Sequence, residues 1–268
     1  MYAFTYERPS TLAEACRLAG DGAKPLAGGQ TLLASMKLRL TQPGRLADLA
    51  GVAELSTIRK EGNALVIGAM ARHLDVANHA EIKAAYPALA DLANRIGDRQ
   101  VRALGTIGGS VANNDPAACY PAAVLASGAT VITQRREIPA DDFFQGMFTT
   151  ALEEGELITA IRFPIPKRAA YEKLRQKASH FPLIGVFVAQ YDSGTLGGSV
   201  RVAVTGGGNG VFRHAGLEDA LSRSFTPESA AAVTIDAGNL SGDLHASAEY
   251  RANLIGVMAQ RAVAKALA

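Results

Sequence analysis

The chain has 268 residues, 48% of them hydrophobic and 19% charged, and its formal net charge is only +2 at pH 7. This balance predicts no surface for nucleic acid or for an anionic membrane, and the length allows two or three subdomains. The longest uncharged run, 116–134, is broken by proline and glycine, so we expect no membrane span, and the opening MYAFTYERPS lacks a secretion signal, which predicts a cytoplasmic protein.

The first part of the chain is typical of a small βαβ-like unit. Ser10 or Thr11 begins a helix that ends near Gly20, and Thr11 and Glu14 have the spacing of a capping box. Apolar residues at helical spacing predict a second helix over 31–40. Strands are predicted over 3–7, 24–27, 45–49 and 64–70.

The middle part combines helices, a glycine-rich segment and strands. The stretch 86–96 has an apolar face and predicts a helix that Gly97 ends. After the glycine-rich segment we expect a buried helix over 121–129, strands over 129–133 and 156–164, and a turn or short helix at 141–144.

The segment 164–170, PIPKRAA, predicts a boundary. Beyond it we expect strands over 171–177, 183–191 and 199–205, then helices over 214–222, 227–237 and 245–267. Strands followed by helices are typical of a separate α+β lobe. Tyr171, Lys173 and Arg175 alternate and therefore share one face of a strand, which could neutralise a phosphate, approach a flavin or equally be a solvated edge.

Two glycine-rich segments carry the strongest functional signal. The first is AGGQTLLASMKLR, 27–39, and the second is GTIGGSVANNDPAACYPAA, 105–123. Glycine allows sharp turns and close approach to a ligand, and the free N–H groups at a helix start suit a phosphate. Each segment alone could be a simple turn, and neither matches GxGxxG or GxxxxGK[ST]. Together they predict a dinucleotide that is gripped from both sides.

A third glycine cluster, TGGGNG at 205–210, ends a predicted strand. It lacks the lysine of a phosphate loop and the acidic residue expected about 20 positions later in a dinucleotide fold. We therefore interpret this cluster as a structural turn.

The remaining chemistry-bearing residues show no site pattern. Cys16 and Cys119 form no CxxC pair, which predicts neither a disulfide framework nor an iron–sulfur cluster in this chain. No GxSxG elbow or acidic dyad is evident, so no catalytic residue is assigned. Metal-ligand spacing is missing among the five histidines, His73, His79, His180, His214 and His245.

The chain resembles the FAD-binding medium subunits of molybdenum hydroxylases, the family of carbon monoxide dehydrogenase medium subunits and the xanthine dehydrogenase flavin domain. The resemblance covers nearly the whole chain through FTYERPSTLAEA, KPLAGGQTLLASMKLR, VRALGTIGGSVANNDPAACYPAA, FFQGMFTTALEEGELITAIRFP, YEKLRQKAS and VRVAVTGGGNGVFR. It implies an α+β fold. A two-lobed FAD-binding domain of the vanillyl-alcohol-oxidase type would occupy 1–54 and 55–167, and a C-terminal α+β flavoprotein lobe would occupy 168–268.

The resemblance also implies which residues bind noncovalent FAD. The first segment would wrap the diphosphate with Leu26, Ala27, Gly28, Gly29, Gln30, Thr31 and Leu32. The second segment would grip it with Thr106, Ile107, Gly108, Gly109 and Ser110. Asn114 and Ile158 would lie beside the cofactor, and Arg175, or with less support Lys173, near the isoalloxazine or its ribityl chain.

Cys119 departs from the family pattern. Xanthine-dehydrogenase-like members have an aspartate at this position, which contacts the ribityl chain. A thiol is a weak donor and a poor acceptor. Polar contacts to the ribityl hydroxyls are therefore expected from backbone groups or from Asn114.

The implied function is that of the FAD-carrying medium subunit in a heterotrimer, assembled as a dimer of heterotrimers. A large subunit would carry the molybdenum cofactor, a small subunit would carry two 2Fe-2S clusters, and the flavin would pass electrons to an external acceptor. The segment 98–104, DRQVRAL, is a candidate contact with the small subunit or else an exposed loop. Two alternatives stay open: a stand-alone noncovalent FAD oxidase and a regulatory nucleotide-binding module.

Overall fold

The first sheet is small and parallel. The computed structural model describes residues 1–268, beginning with β1 (Thr5–Glu7), α1 (Leu12–Gly20), β2 (Lys24–Leu26), α2 (Leu32–Lys37) and β3 (Arg45–Asp48). The strands lie in the order β1–β3–β2. Thr11 Oγ1 accepts the N–H of Glu14 at 3.2 Å, and the Glu14 carboxylate accepts the N–H of Ser10 at 3.0 Å. The predicted capping of α1 is therefore confirmed, whereas α2 ends earlier than predicted.

The second sheet is antiparallel. The middle part contains the strands β4 (Ile58–Glu61), β5 (Ala64–Gly68), β6 (Thr130–Thr133), β7 (Glu137–Pro139), β8 (Phe144–Gly146), β9 (Thr149–Thr150) and β10 (Ile158–Pro164). Five of them form a sheet in the order β4–β5–β10–β6–β7, and β8 pairs with β9 in a separate hairpin. The sequence did not predict β4, since its IRKE sequence is mostly exposed and lacks an apolar alternation.

Six short helices connect β5 to β6 along the chain. They are α3 (His73–Asn78), α4 (Ala80–Ala85), α5 (Pro87–Asn94), α6 (Arg99–Leu104), α7 (Ile107–Asn113) and α8 (Tyr120–Ala126), and α9 (Ala140–Phe143) follows β7. The sequence predicted α5 and α8 and allowed α9 as an alternative. The helix start considered for the second glycine-rich segment lies at Ile107 in α7. Helices α3, α4 and α6 were missed because a helix of one or two turns gives little periodicity.

The C-terminal sheet is covered on both faces. Its elements are β11 (Arg168–Arg175), β12 (Pro182–Gln190), β13 (Val200–Thr205), β14 (Phe212–Arg213), α10 (Ala215–Arg223), α11 (Pro227–Ala231) and α12 (Ala248–Leu267). The strands are antiparallel in numerical order. The helix predicted over 227–237 ends at Ala231. Beyond it, the carboxylates of Asp236 and Asp243 each accept the backbone N–H two residues later, and such local hydrogen bonds favour turns over helix.

The middle part and the C-terminal sheet share one hydrophobic core. Alternate side chains of β12 lie on opposite faces, so Phe187 packs with the middle helices while Val186 and Val188 pack against α10 and α12. The core of 35 residues therefore runs from β5 to Ala203 in β13. The subdomain boundaries at 54 and 167 stay predictions. No helix of this chain has the length and apolarity that crossing a bilayer requires.

His73 is a buried titratable group within this shared core. It is 5% exposed, its ring lies 5.3 Å from that of Tyr120, and its Nδ1 has no hydrogen-bond partner. Burial, aided by the positive charge of Arg102, lowers the pKa of His73 to about 4. The native protein therefore holds this imidazole neutral at neutral pH.

We expect His73 alone to lower the free energy of unfolding by about 3 kcal/mol as the pH drops from 6.5 to 4. In this window the unfolded chain protonates His73 and the native protein does not, so acid favours the unfolded chain. Urea unfolding of His73→Phe should show a correspondingly flatter pH profile. His245→Phe, which removes an exposed histidine in place of the buried one, is the matched control.

Candidate cofactor-binding site

The first glycine segment leaves a continuous row of donors free. It follows β2, and Gly29 adopts a left-handed conformation with φ of 68°. None of the six backbone N–H groups from Ala27 to Leu32 donates a hydrogen bond within the chain. A row of unpaired N–H groups is a binding surface for an anion, above all for a phosphate.

The second glycine segment differs, because it is the first turn of α7 and most of its amides are satisfied. Thr106 caps the helix and accepts the N–H of Gly109 at 3.1 Å. The N–H groups of Ile107 and Gly108 donate to the carbonyls of Ala71 and Ala69. The groups left for a ligand are the N–H of Thr106 and the hydroxyls of Thr106 and Ser110.

The fold brings the two segments into direct contact. A Cβ on Gly28 would collide with the carbonyl oxygen of Leu104 and would lie 2.7 Å from the Cα of Gly105. A Cβ on Gly109 would lie 3.3 Å from the Cβ of Ala27. The absence of side chains at these glycines therefore allows the two backbones to pack together, and positive φ is required only at Gly29.

Asn114 ends α7 in a left-handed conformation with φ of 44° and is fully buried. Its Nδ2 donates to the carbonyls of Gly146 and Thr149, each at 2.7 Å, so the side chain fastens the β8–β9 hairpin. Its Oδ1 has no partner. Asn114 can therefore offer a ligand one acceptor and no donor.

A buried polar cluster surrounds Cys119. The ammonium of Lys173 donates to Cys119 Sγ at 3.4 Å and to the carbonyl of His180 at 2.7 Å, and burial lowers the pKa of Lys173. The hydroxyl of Tyr171 lies in the same cluster, lacks a partner and has a pKa that burial raises well above its usual value. Tyr171 and Lys173 thus share the predicted face of β11, turned toward Cys119.

The other predicted residues occupy different environments. Arg175 follows a register shift in β11, is exposed and forms no ion pair, so Lys173 and not Arg175 lies beside Cys119. Ile158 is 6% exposed and belongs to the shared core. Gln30 donates from its amide to the carbonyl of Gly28.

Sequence reasoning missed two groups in this region. Thr205 Oγ1 and Tyr120 Oη are both buried without a hydrogen-bond partner. Tyr120 lies within the second glycine-rich segment, 105–123. Thr205 comes from the third glycine cluster, and only the tertiary fold brings it near Tyr171. The fold also packs the His73 ring against Gly105, although 32 positions separate the two residues along the chain.

Comparison with known proteins decides the family. The model for the FAD binding domain in molybdopterin dehydrogenase matches residues 2–166. The chain belongs to the FAD-binding medium subunits of the molybdenum hydroxylase family. The α+β FAD-binding fold and FAD as the cofactor, both implied by the resemblance, are thereby confirmed.

Relatives match over nearly their full length. The carbon monoxide dehydrogenase medium chain of Hydrogenophaga pseudoflava is 37% identical, with 97% of this chain and 96% of the relative covered. The nicotine 6-hydroxylase medium subunit of Paenarthrobacter nicotinovorans is 34% identical, with 98% and 97% covered.

Solved structures of related enzymes have the same fold over nearly the whole chain. A chain of carbon monoxide dehydrogenase from Hydrogenophaga pseudoflava superposes with a TM-score of 0.87 at 34% identity, with 99% of this chain and 98% of that chain covered. A chain of quinoline 2-oxidoreductase from Pseudomonas putida 86 gives a TM-score of 0.89 at 27% identity, with 99% and 97% covered.

The groups present in this chain fit FAD. The free amides of residues 27–32 suit a diphosphate, and the close packing of Gly28 on Leu104 leaves no side chain between the two segments. Buried unpartnered oxygens on Asn114, Tyr171 and Thr205 are costly without a ligand or water to satisfy them. A cofactor rich in hydroxyl and carbonyl groups would satisfy such atoms.

Proposed function

We propose that this chain is the FAD-carrying medium subunit of a heterotrimeric molybdenum hydroxylase. It would take electrons from 2Fe-2S clusters of a small subunit and pass them to an external acceptor, while a large subunit holds the molybdenum cofactor. The single observation that carries the proposal is the contact between two glycine segments, one of which presents six free amides. Full-length similarity to medium chains of such enzymes supports it.

Each group of the site then has a binding role. The amides of residues 27–32 hold the diphosphate, and the hydroxyls of Thr106 and Ser110 approach it from the other segment. Asn114 Oδ1 accepts a hydrogen bond from a ribityl hydroxyl. Lys173 places a positive charge near the ring system, and the buried cluster around Cys119 excludes water. When bound, FAD supplies the electron-accepting and electron-donating chemistry.

The proposed division of labour can be tested by co-expression with the genes that neighbour this one. Native mass spectrometry should find this chain with a large and a small partner, in a dimer of heterotrimers, and acid precipitation should release all flavin. The isolated chain should bind FAD and oxidise no organic substrate. A monomeric chain that oxidises a substrate unaided would support the stand-alone FAD oxidase instead, and a chain without flavin would support the regulatory module.

The contact with the small subunit is proposed at residues 98–104. This segment is helix α6 with its Asp98 cap, and Leu104 at its end is 57% exposed. Because Leu104 also touches Gly28, a partner seated on α6 would lie next to the first glycine segment. Cross-linking of the assembled complex should place α6 at the interface.

We expect Cys119→Ser to change the affinity for FAD by less than tenfold, which is about 1.4 kcal/mol. Serine keeps a small polar group beside the Lys173 ammonium, and the thiol is only a weak hydrogen-bonding partner. Titration of the flavin-free chain with FAD, followed by flavin fluorescence, measures this. Lys173→Met is the informative comparison, because it removes the buried charge itself and should weaken binding more. A hundredfold loss in the serine variant would contradict the minor role assigned to Cys119.

A further inference from the structure

The third glycine cluster forms one wall of a cavity outside the FAD residues. The cavity has a volume of about 510 Å³, within the range of small-molecule sites. Its apolar walls are Phe144, Val211, Phe212, Ile235, Leu240 and Ile255. None of the residues assigned to FAD lines it. The turn at 205–210 therefore builds a concavity as well as joining two strands.

The wall of this cavity is rich in hydrogen-bond donors that the chain leaves unused. The backbone N–H groups of the four consecutive residues 208–211 donate to no group within the chain. The side-chain amides of Asn209 and Asn239, which also line the cavity, form no hydrogen bond within the chain. A ligand with acceptor atoms would find several donors there.

His214 adds a further donor. Its Nδ1 accepts the N–H of Leu217 at 3.2 Å, and burial lowers the pKa of His214. The neutral ring therefore carries its proton on Nε2, which donates to no other group of the chain. A neutral imidazole contributes a hydrogen bond without adding charge to the cavity.

The charge of the cavity selects against anions. No lysine or arginine lines it, and Asp236 is its only ionisable acid. The neighbouring guanidinium of Arg213 is paired with Glu218 and Asp141. A phosphate or carboxylate would meet the like charge of Asp236 without a compensating cation, whereas a neutral carbonyl oxygen adds no charge and can accept from the unused N–H groups.

We propose that this cavity binds an uncharged, planar ring compound that carries carbonyl oxygens. Phenylalanine and aliphatic walls would cover the ring, and the donors of residues 208–211, Asn239 and His214 would meet the oxygens. The cavity also adjoins Asn114, since the carbonyl of its wall residue Gly146 accepts the Asn114 amide. The proposal concerns a second site and does not depend on the role given to the FAD site.

The probe pair is phthalimide and phthalate, which share a flat ring and differ in charge. Both are titrated into the full chain at saturating FAD, so that the glycine segments at 27–32 and 106–110 are not available. Saturation-transfer NMR detects binding and equilibrium dialysis measures Kd. We expect phthalimide to bind with a submillimolar Kd and phthalate at least tenfold more weakly.

Gly208→Phe tests whether phthalimide binds in this cavity. A Cβ at Gly208 meets only the carbonyl oxygen of Asn239, at 3.5 Å, and its φ is ordinary, so a phenyl ring can extend into the cavity without backbone strain. The affinity for phthalimide should fall at least tenfold. Gly194→Phe, at a glycine with no neighbour within 4 Å, is the matched control and should bind like the wild type.

Asn239→Ala provides a second variant in case Gly208→Phe fails to fold. Asn239 is exposed and its side chain holds no partner within the chain, so the fold should survive while phthalimide binding weakens at least threefold. The proposal is overturned if phthalimide does not bind, if phthalate binds equally well, or if both cavity variants bind phthalimide like the wild type.

Discussion

Gly28→Ala is expected to lower the affinity for FAD at least a hundredfold, which is about 2.7 kcal/mol. The added methyl group would collide with the carbonyl oxygen of Leu104, which is backbone and cannot rotate away. The two glycine segments must then move apart, because overpacking at a close contact shifts the backbone. The two segments would no longer lie close enough to hold the same cofactor. Flavin content after purification and FAD titration of the apoprotein measure the loss.

Gly44→Ala is the matched control for this prediction. Gly44 lies in the same part of the chain, has no neighbour within 4 Å of an added Cβ and needs no positive φ. This variant should retain full flavin. Circular dichroism should show that Gly28→Ala keeps its helices and strands. If the folded variant also kept full flavin, the contact between the segments would not be the cofactor site.

Glu156→Gln is expected to destabilise the protein by about 3 kcal/mol. The Glu156 side chain is fully buried, and its two oxygens accept hydrogen bonds from Arg136, from the Thr133 hydroxyl and from the Glu153 N–H. An amide replaces one acceptor by a donor that faces other donors, and it leaves the Arg136 charge without its main partner. Urea unfolding at pH 7 measures the change.

Acid should reproduce part of this effect. The hydrogen bonds from Arg136 lower the pKa of Glu156 to about 2. The stabilisation is present above pH 4.5 and is lost as the pH falls toward 2, because the unfolded chain takes up the proton first. Glu153→Gln removes an exposed partner of Arg135 and Arg136 and should cost less than about 1 kcal/mol. Equal losses in both variants would contradict the role given to Glu156.

The sequence was most informative where the pattern is long or chemically distinctive. The 20-residue α12 and the continuous apolar run of β12 were predicted because many residues repeat the same signal. The capped start of α1 was readable from Thr11 and Glu14. Helices α3, α4 and α6 were missed because a helix of six residues is stabilised mainly by tertiary packing.

The candidate site was only partly readable. The two glycine segments could be recognised, but whether their backbone N–H groups are hydrogen-bonded could not be predicted. In the second segment these N–H groups donate to the carbonyls of Ala69 and Ala71, which follow a strand that is distant in the sequence. Lys173, and not Arg175, lies beside Cys119, and the register shift in β11 just before Arg175 leaves no trace in the sequence. The cavity beside the third cluster depends in part on Ile235 and Asp236, which lie inside the helix predicted over 227–237 but beyond its observed end at Ala231.

The unequal pairing of the amides in the two glycine segments should be visible as two different rates of deuterium uptake. Amides at 27–32 have no internal bond to break, so they should exchange within seconds, whereas those of Ile107 and Gly108 must wait for the packing of α7 to open. Added FAD should slow uptake in the first group and leave the second nearly unchanged. Deuterium would thus report occupancy of the diphosphate position one peptide at a time, without any measurement of electron transfer.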